Sequence, residues 1–323
     1  MKDQVLQILS GHETVSGESL GRELGVSRNA VWKAVDRLRK EGYLIEAVTN
    51  NGYRLVSAPD ILSESGIRRW LTSKSIGQAM ELHENLDSTN ICAKALAAAG
   101  APHGFLVAAE AQSAGRGRLG RSFFSPAHSG IYVSFILRPA CSPEKASMIT
   151  SLAAVAAAEA IEDLTPADVR IKWVNDLYIG NRKICGILSE AGMGMETGRL
   201  DYVIVGIGVN VGRMVFPPEL QDIAGSVGNE TGVVPDRNRL IAGIANRLEA
   251  RFGQLETGAF LSESRRRSNV IGRDVLVIDG EKQYPARALD IDHQGRLVIQ
   301  TETGTETLGY GEVSLKLNGG ARL

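Results

Sequence analysis

Between residues 115 and 121 three glycines and three arginines surround a single leucine, Gly115-Arg116-Gly117-Arg118-Leu119-Gly120-Arg121. A stretch so poor in apolar side chains and so rich in glycine makes neither a core strand nor a stable helix, so the rest of the chain must form a scaffold that carries a loop here. Glycine permits positive φ and close approach to a ligand, while arginine supplies a permanently charged planar fork suited to carboxylate and phosphate oxygens. The loop is expected to hold anions. Its spacing also spells G-x-G-x-x-G, but the dinucleotide-binding form of that pattern needs a strand running directly into a helix and an acidic residue about 20 positions later. Here Ser122-Phe123-Phe124-Ser125-Pro126 follows, which does not open a helix. What the loop binds has to be argued from the remainder of the chain.

That remainder is long enough for two or three domains at 323 residues, and 43% hydrophobic residues suffice for a real core. The 36 Lys+Arg and 37 Asp+Glu nearly cancel, so binding to nucleic acid or membrane would have to come from a local patch. Cys92, Cys141 and Cys185 are odd in number and lack C-x-x-C spacing, which points to a reducing compartment, small buried residues and no zinc site. His12, His83, His103, His128 and His293 show no H-x-x-x-H or H-E-x-x-H spacing. The first residues do not read as a signal peptide, and the alanine-rich run at 152–161 is interrupted by Glu159 and too short to span a bilayer. A soluble cytoplasmic protein is expected.

The first 60 residues have helical periodicity. Val5, Ile8 and Leu9 share one face before Gly11, and Leu20 and Leu24 share another between Ser16 and Gly25. Val31, Ala34, Val35 and Leu38 line a third helix behind a Ser27 N-cap. The other faces of this helix carry Arg28, Asn29, Trp32, Lys33 and Arg37, and between Arg28 and Lys40 there are five basic residues and one acid. Tyr43 to Val48 and Tyr53 to Val56 then flank Asn50-Asn51-Gly52 as a hairpin, with Arg54 on its second strand. Helix order, tight turn, basic third helix and hairpin together predict a winged helix-turn-helix that reads DNA, in preference to an interaction module with a solvated charged face. Gly17-Glu18-Ser19-Leu20-Gly21 matches G-x-S-x-G but follows no strand, so no nucleophile elbow is assigned.

After a break at Ser57-Ala58-Pro59-Asp60 the chain mixes strands and helices. A helix with Ile67, Trp70 and Leu71 is expected, then strands at 80–84, 105–110, 131–137, 170–173, 177–179, 183–190 and 202–210. Helices are expected at 88–99, 144–162 and 237–251. Three constellations complement the arginine loop. Asp87-Ser88-Thr89-Asn90 marks a helix start that either binds a polar ligand edge or is an ordinary cap. Lys183 opens the apolar strand 184–188 beyond Lys172-Trp173-Val174-Asn175-Asp176, where its ammonium either meets an anion or snorkels. Gly206-Ile207-Gly208-Val209-Asn210 is a strand with glycines where side chains belong, as when a ligand comes close. Together they describe a site for an anionic nucleotide and a second, partly apolar ligand. Asp176 is a candidate for Mg²⁺ or for capping a turn, and no Walker A lysine is present. Short strands from 275 to 310 separated by turn signals make a small β-barrel.

With these motifs in this order, the chain resembles the bacterial bifunctional biotin protein ligases that also repress the biotin operon. The resemblance runs from the winged helix through G-R-G-R-x-G-R, K-W-x-N-D-L-Y, R-K-x-x-G-I-L and G-I-G-x-N to the terminal Gly311-Glu312-Val313-Ser314-Leu315. It implies an α+β multidomain protein: a winged helix-turn-helix at 1–62, a mixed α/β domain of the biotin/lipoate ligase type at 63–268 and an SH3-like barrel at 269–323. It implies that Ser88, Thr89, Asn90, Gln112, Gly115, Arg116, Gly117, Arg118, Lys183, Gly186 and Gly206 surround biotin. Arg118, Arg121, Phe123, Lys172, Asn175, Asp176, Asn210 and Lys316 would serve ATP with Mg²⁺, and Lys183 and Arg118 would be catalytic. Ser27, Arg28, Asn29, Trp32, Lys33, Arg37 and Arg54 would face DNA. The partners implied are a biotin carboxyl carrier protein, operator DNA and a second copy of the chain once the adenylate is bound. Phe123 replaces the Trp and Val174 the Pro usual in the family. The alternatives are a lipoate protein ligase, which such a resemblance also admits, and a ligand-responsive repressor without catalysis.

Overall fold

The computed structural model describes residues 1–40, 43–48, 51–57, 60–194, 200–279, 281–309 and 313–317. The chain divides into two compact units, Met1–Ile61 and Leu62–Leu323. In the first, α1 (Lys2–Gly11), α2 (Gly17–Leu24) and α3 (Arg28–Lys40) are followed by the antiparallel pair β1 (Leu44–Val48) and β2 (Gly52–Ser57). The apolar stripes read from the sequence converge: Val5, Leu9, Leu20, Val31, Ala34, Val35, Leu38 and Ile45 form one core. Ser16 caps α2 by accepting the amide of Ser19, and Gly25 ends it at φ 65°, the left-handed conformation glycine adopts without penalty. Ser19 is thereby part of a capped helix. The Ser27 hydroxyl accepts the Ala30 amide at the start of α3. Asn50 of the expected hairpin turn lies outside the described residues.

The second unit is built on a seven-stranded sheet. Its strands are β3 (Met80–Leu86), β4 (Phe105–Gln112), β5 (Gly130–Leu137), β6 (Val169–Lys172), β7 (Asp176–Ile179), β8 (Arg182–Met193) and β9 (Leu200–Asn210), in the spatial order β3-β4-β5-β9-β8-β7-β6. β3 runs parallel to β4, as the intervening helix α5 (Thr89–Ala98) requires, and every other pair is antiparallel. α4 (Glu64–Arg68) is shorter than expected; Trp70 and Leu71 lie beyond it in tight turns, their amides bonded three residues back. The helix expected at 144–162 is two: α6 (Pro143–Ser147) and α7 (Ile149–Glu162), because the Met148 amide bonds back to Lys145 at i−3. α7 is buried along nearly its whole length, its alanines allowing close approach to the sheet and to α9.

α8 (Val227–Thr231) and α9 (Arg237–Phe252) complete this layer. α9 begins with a fully buried cation: Arg237 donates to Oε2 of Glu110 at 2.7 Å and to the Gly130 carbonyl at 3.0 Å, while Glu110 also accepts the Leu62 amide. A buried charge survives only with such partners. α10 (Leu261–Arg267) leads to β10 (Asp274–Asp279), β11 (Lys282–Ile291), β12 (Leu297–Thr301), β13 (Gly304–Leu308) and β14 (Val313–Leu317). They form a five-stranded antiparallel sheet in the order β13-β12-β11-β10-β14, with β13 and β14 at its ends. Among the described residues the pairing gives the small antiparallel sheet domain expected after residue 269, without the further pairing that would close it into a barrel. The sheet shares the larger unit's core, and the Trp173 indole nitrogen donates to the Gly295 carbonyl at 3.1 Å. Among the described residues no helix is long and apolar enough to cross a membrane.

Candidate active site

The arginine loop is a small hairpin. Arg116 bridges Ser122, the Gly117 amide bonds the Arg121 carbonyl at 2.7 Å, the Phe123 amide bonds Gly115 at 2.9 Å, and Arg118–Gly120 forms a 3₁₀ turn at the tip. The expectation that its glycines serve positive φ holds only for Gly120, at 73°; the other left-handed residue is Leu119, at 56°. Gly115 is required for a different reason: a Cβ there would lie 2.5 Å from the Phe123 carbonyl oxygen. Closure of the hairpin, rather than contact with a ligand, excludes a side chain at 115.

Beneath the hairpin is a cavity of about 410 Å³. Ser88, Thr89, Asn90, Gln112, Arg116, Gly117, Arg118, Arg121, Phe123, Lys172, Asn175, Asp176, Lys183, Gly186, Gly206 and Asn210 all line it. Of the residues the sequence reading gathered here, Gly115 is absent from the wall, and the side chain of Lys316, like Gly311-Glu312, lies outside the described residues.

One end of the cavity is an internal polar network. The Gln112 amide oxygen accepts from the Thr89 amide at 2.9 Å and lies 3.1 Å from the Thr89 hydroxyl, and the Gln112 amino group donates to Ser125 at 3.0 Å. The Ser134 hydroxyl lies 2.8 Å from that of Thr89 and 2.7 Å from Asn90 Oδ1, while Asn90 Nδ2 donates to Glu190 at 2.8 Å. Ser88 occupies the N-cap position of α5, yet its side chain makes no capping bond, so the cap read from the sequence is instead made by Gln112 from the neighbouring strand. Ser134 escaped the sequence reading. Its only signal is a lone serine among the apolar and aromatic residues of β5.

The glycines of β8 and β9 make room for the protein's own side chains, not for a ligand directly. A Cβ on Gly206 would fall 2.0 Å from Asn90 Oδ1, and one on Gly208 would fall 2.6 Å from the Phe123 ring. Gly186, paired with Gly208 across the sheet, likewise faces that ring. Phe123 thus lies flat against a glycine floor and meets Tyr132 edge-on at 6.4 Å. Phe216, Leu220, Ile223 and Ala224 close another wall. These come from an irregular connection without periodicity and were not identified from sequence.

The charges lining the cavity are nearly all positive. Five cations, Arg116, Arg118, Arg121, Lys172 and Lys183, face one carboxylate, Asp176, among the described lining residues. Lys183 Nζ is 2.7 Å from Asp176 Oδ1, and Arg118 donates to Asn175 Oδ1 at 3.2 Å. Burial lowers the Arg118 pKa below its ordinary value, Asp176 partly opposes this and Arg121 adds to it. Its charge is therefore held in a poorly solvated place, where its interaction with an anion is strengthened. Lys172 is 8% exposed, its ammonium 5.8 Å from the Tyr178 ring centroid. Burial pushes the Tyr132 hydroxyl up to about 12 and raises Tyr178 too, so both phenols stay neutral. Asn210 donates to the Gly225 carbonyl, while its buried Oδ1 has no hydrogen-bond partner. The peptide joining Trp173 to Val174 is cis.

A cavity joining hydroxyls and amides, an aromatic face and a cluster of cations matches known proteins along the whole chain. The bifunctional ligase/repressor BirA of Bacillus subtilis (strain 168) is 38% identical over 324 residues, covering 98% of this chain and 98% of its own length. The chain belongs to the bifunctional ligase/repressor family. The family's Escherichia coli (strain K12) member is 32% identical over 317 residues, 97% of this chain and 96% of that one. The models for the biotin/lipoate A/B protein ligase family, the HTH domain and the biotin protein ligase C terminal domain match residues 82–210, 2–54 and 270–316. A biotin protein ligase from Aquifex aeolicus, solved in complex with biotin and ATP, superposes with a TM-score of 0.64 at 26% identity over 75% of this chain and 100% of that chain.

As in a family that includes repressors, the first unit presents a cationic helix face. Ser27, Arg28, Asn29, Trp32, Lys33 and Arg37 are all exposed, Trp32 by 50%. Arg54 is exposed on β2, but it donates to Glu46 at 2.6 Å, which offsets its charge locally.

Proposed function

We propose that this chain activates biotin with ATP to biotinyl-5'-AMP, transfers the biotin to a lysine of a biotin carboxyl carrier protein, and represses biotin biosynthesis genes as an adenylate-bound dimer in the cytoplasm. The observation that carries the reading is the cavity, which joins a polar network to five cations against one carboxylate. The ureido ring of biotin both donates and accepts, which suits the Thr89, Asn90, Gln112 and Ser134 end. Its carbon skeleton suits the Phe123 ring.

In the first step a carboxylate oxygen of biotin attacks the α-phosphorus of ATP, the bond to the bridging oxygen breaks, and pyrophosphate leaves. Two anions must be brought together and a charge-rich transition state stabilised, which preorganised cations in a water-poor site do well. Arg118 and Lys183 take that role, Asp176 holding Lys183 in place. Arg116 serves the biotin end, and Arg121, Lys172, Asn175 and Asn210 the nucleotide. In the second step the neutral amine of the acceptor lysine attacks the acyl carbon, and AMP leaves. Asp176, the single carboxylate among the described lining residues, would be the protein's ligand to Mg²⁺, a donor set suited to an ion held mainly by phosphate oxygens. The working parts are then 1–62 for DNA, 63–268 for chemistry and 269–323 as a cap. Incubation with biotin, ATP and Mg²⁺ followed by mass analysis of the bound ligand is expected to give biotinyl-5'-AMP; a lipoyl adenylate formed preferentially from mixed acids would sink the assignment.

A further inference from the structure

Outside the cavity, the fold assembles a second cluster of coordinating atoms. Glu81 and His83 are two apart on β3 and so project from the same side of the strand. β3 ends the seven-stranded sheet in its spatial order. Cys92 lies on α5, the helix connecting β3 to β4. One oxygen of Glu81, one ring nitrogen of His83 and the sulfur of Cys92 all lie within 4.8 Å of one another, and all three residues are half-buried. Among the described residues this is the one such group of three.

One observation separates it from a chance grouping of polar side chains. Nε2 of His83 is sealed from solvent and makes no hydrogen bond, although it stands 3.4 Å from Glu81 Oε2. A buried ring nitrogen left in that state calls for a partner. A carboxylate, an imidazole and a thiol thus bring three unlike donor atoms within reach of one ion.

We propose that Glu81, His83 and Cys92 form a binding site for a borderline-soft divalent transition metal ion, zinc being the one best suited to a mixed O, N, S donor set. Bonds of about 2.0–2.3 Å in tetrahedral geometry place ligand atoms about 3.3–3.6 Å apart, a contraction from the present spacing that side-chain rotation supplies. The fourth position is open to water. On binding, the Cys92 sulfur gives its proton to solvent and coordinates as thiolate. None of the three residues lines the cavity. The metal would nonetheless tie β3 to the helix whose first turn presents Thr89 and Asn90, so its consequence is to stiffen that helix rather than to take part in chemistry. The separation of Cys92 from the other two ligands, and the absence of any regular histidine or cysteine spacing, hides the site from a motif search.

Cobalt tests the assignment directly, because a thiolate bound to Co²⁺ gives an intense near-ultraviolet charge-transfer band. The chelator-stripped full chain, titrated with Co²⁺, is expected to develop this band to saturation at a single equivalent and to lose it when Zn²⁺ is added. Cys92→Ser should abolish the band, Cys141→Ser should keep it, and His83→Gln should weaken cobalt binding on the order of tenfold or more. Each variant is first compared with the parent for a cooperative melt. If His83→Gln fails that comparison, Cys92→Ser, which exchanges one atom, carries the test alone. A parent chain without the band, or a band that survives Cys92→Ser, overturns the proposal. Biotin-dependent pyrophosphate release is expected to be unchanged in Cys92→Ser, so failure of the metal site is distinguishable from failure of the proposed ligase reaction.

Discussion

Lys183 and Asp176 stand on neighbouring strands, β8 and β7, with 2.7 Å between ammonium and carboxylate. The pairing holds the lysine at the cavity wall without a dedicated helix or loop. Lys183→Ala is expected to lower biotin-dependent pyrophosphate release by roughly 10²–10³-fold, the usual cost of removing one preorganised electrostatic contact to a transition state. Release at the parental rate would remove Lys183 from the mechanism. Gly206 makes a second residue-level case. Its missing Cβ is replaced in space by Asn90 Oδ1, which also lies 2.7 Å from the Ser134 hydroxyl. Gly206→Ala must displace that amide or strain the sheet, at a cost of about 1–3 kcal/mol in stability. Biotin affinity should fall with it. A urea midpoint and a biotin KM both at parental values would show that the network tolerates the methyl group. Residue types in this site were legible in the sequence, since lysine, arginine, asparagine and glycine in apolar strands stand out. What each glycine accommodates was not legible, because it depends on which side chain from another element lies above it.

At the scale of elements, α3 and the arginine hairpin behave differently as objects of sequence reading. α3 was readable almost entirely. Its apolar stripe at i, i+3, i+4 and i+7 is buried, its basic residues are exposed, and Ser27 supplies the N-terminal bond. Under the proposed repressor role, Lys33→Ala and Arg37→Ala should each weaken operator binding and reduce the slope of log affinity against log salt by about 1, with adenylate formation unaltered. Filter-binding titrations over a range of salt check this, and an unchanged slope in both variants would move the DNA contact elsewhere. The hairpin was readable only as a loop. Its internal bonds pair Gly115 with Phe123 and Gly117 with Arg121, and they place Leu119 in a conformation that disfavours its own side chain. No local pattern announces a two-sided turn of this kind. The rod expected at 144–162 failed for a related reason: its alanines favour helix on both sides of Met148, and only the bond from Met148 back to Lys145 divides it.

Taken as a whole, the molecule places a cationic DNA-type helix face and a cavity for two anions in one chain. The proposed function couples them through ligand-dependent dimerisation, since two recognition helices on a symmetric dimer can read both halves of a palindrome. Biotin with ATP is expected to sharpen operator mobility shifts and to move the sedimentation coefficient towards a dimer; biotin alone should do less. Operator binding indifferent to both ligands would separate the two halves of the proposal and leave the ligase reading standing.

The amino-acid sequence by itself determined the helices of the first unit, the basic face of α3, most strands of the large sheet and the cationic composition of its site. Each of these is set by periodicity and residue type within one helical turn or one strand, and that information is local. The tertiary structure alone decided that Gln112 from β4 caps α5, that Asn90 occupies the place of a Gly206 side chain and that Ser134 completes their network. It also decided that Arg237 is buried against Glu110 and that Glu81, His83 and Cys92 share one corner of the sheet. These are consequences of strand order: β5 joins β9, and β3 runs parallel to β4 beneath a crossing helix, so residues far apart in the chain meet only after the sheet has closed.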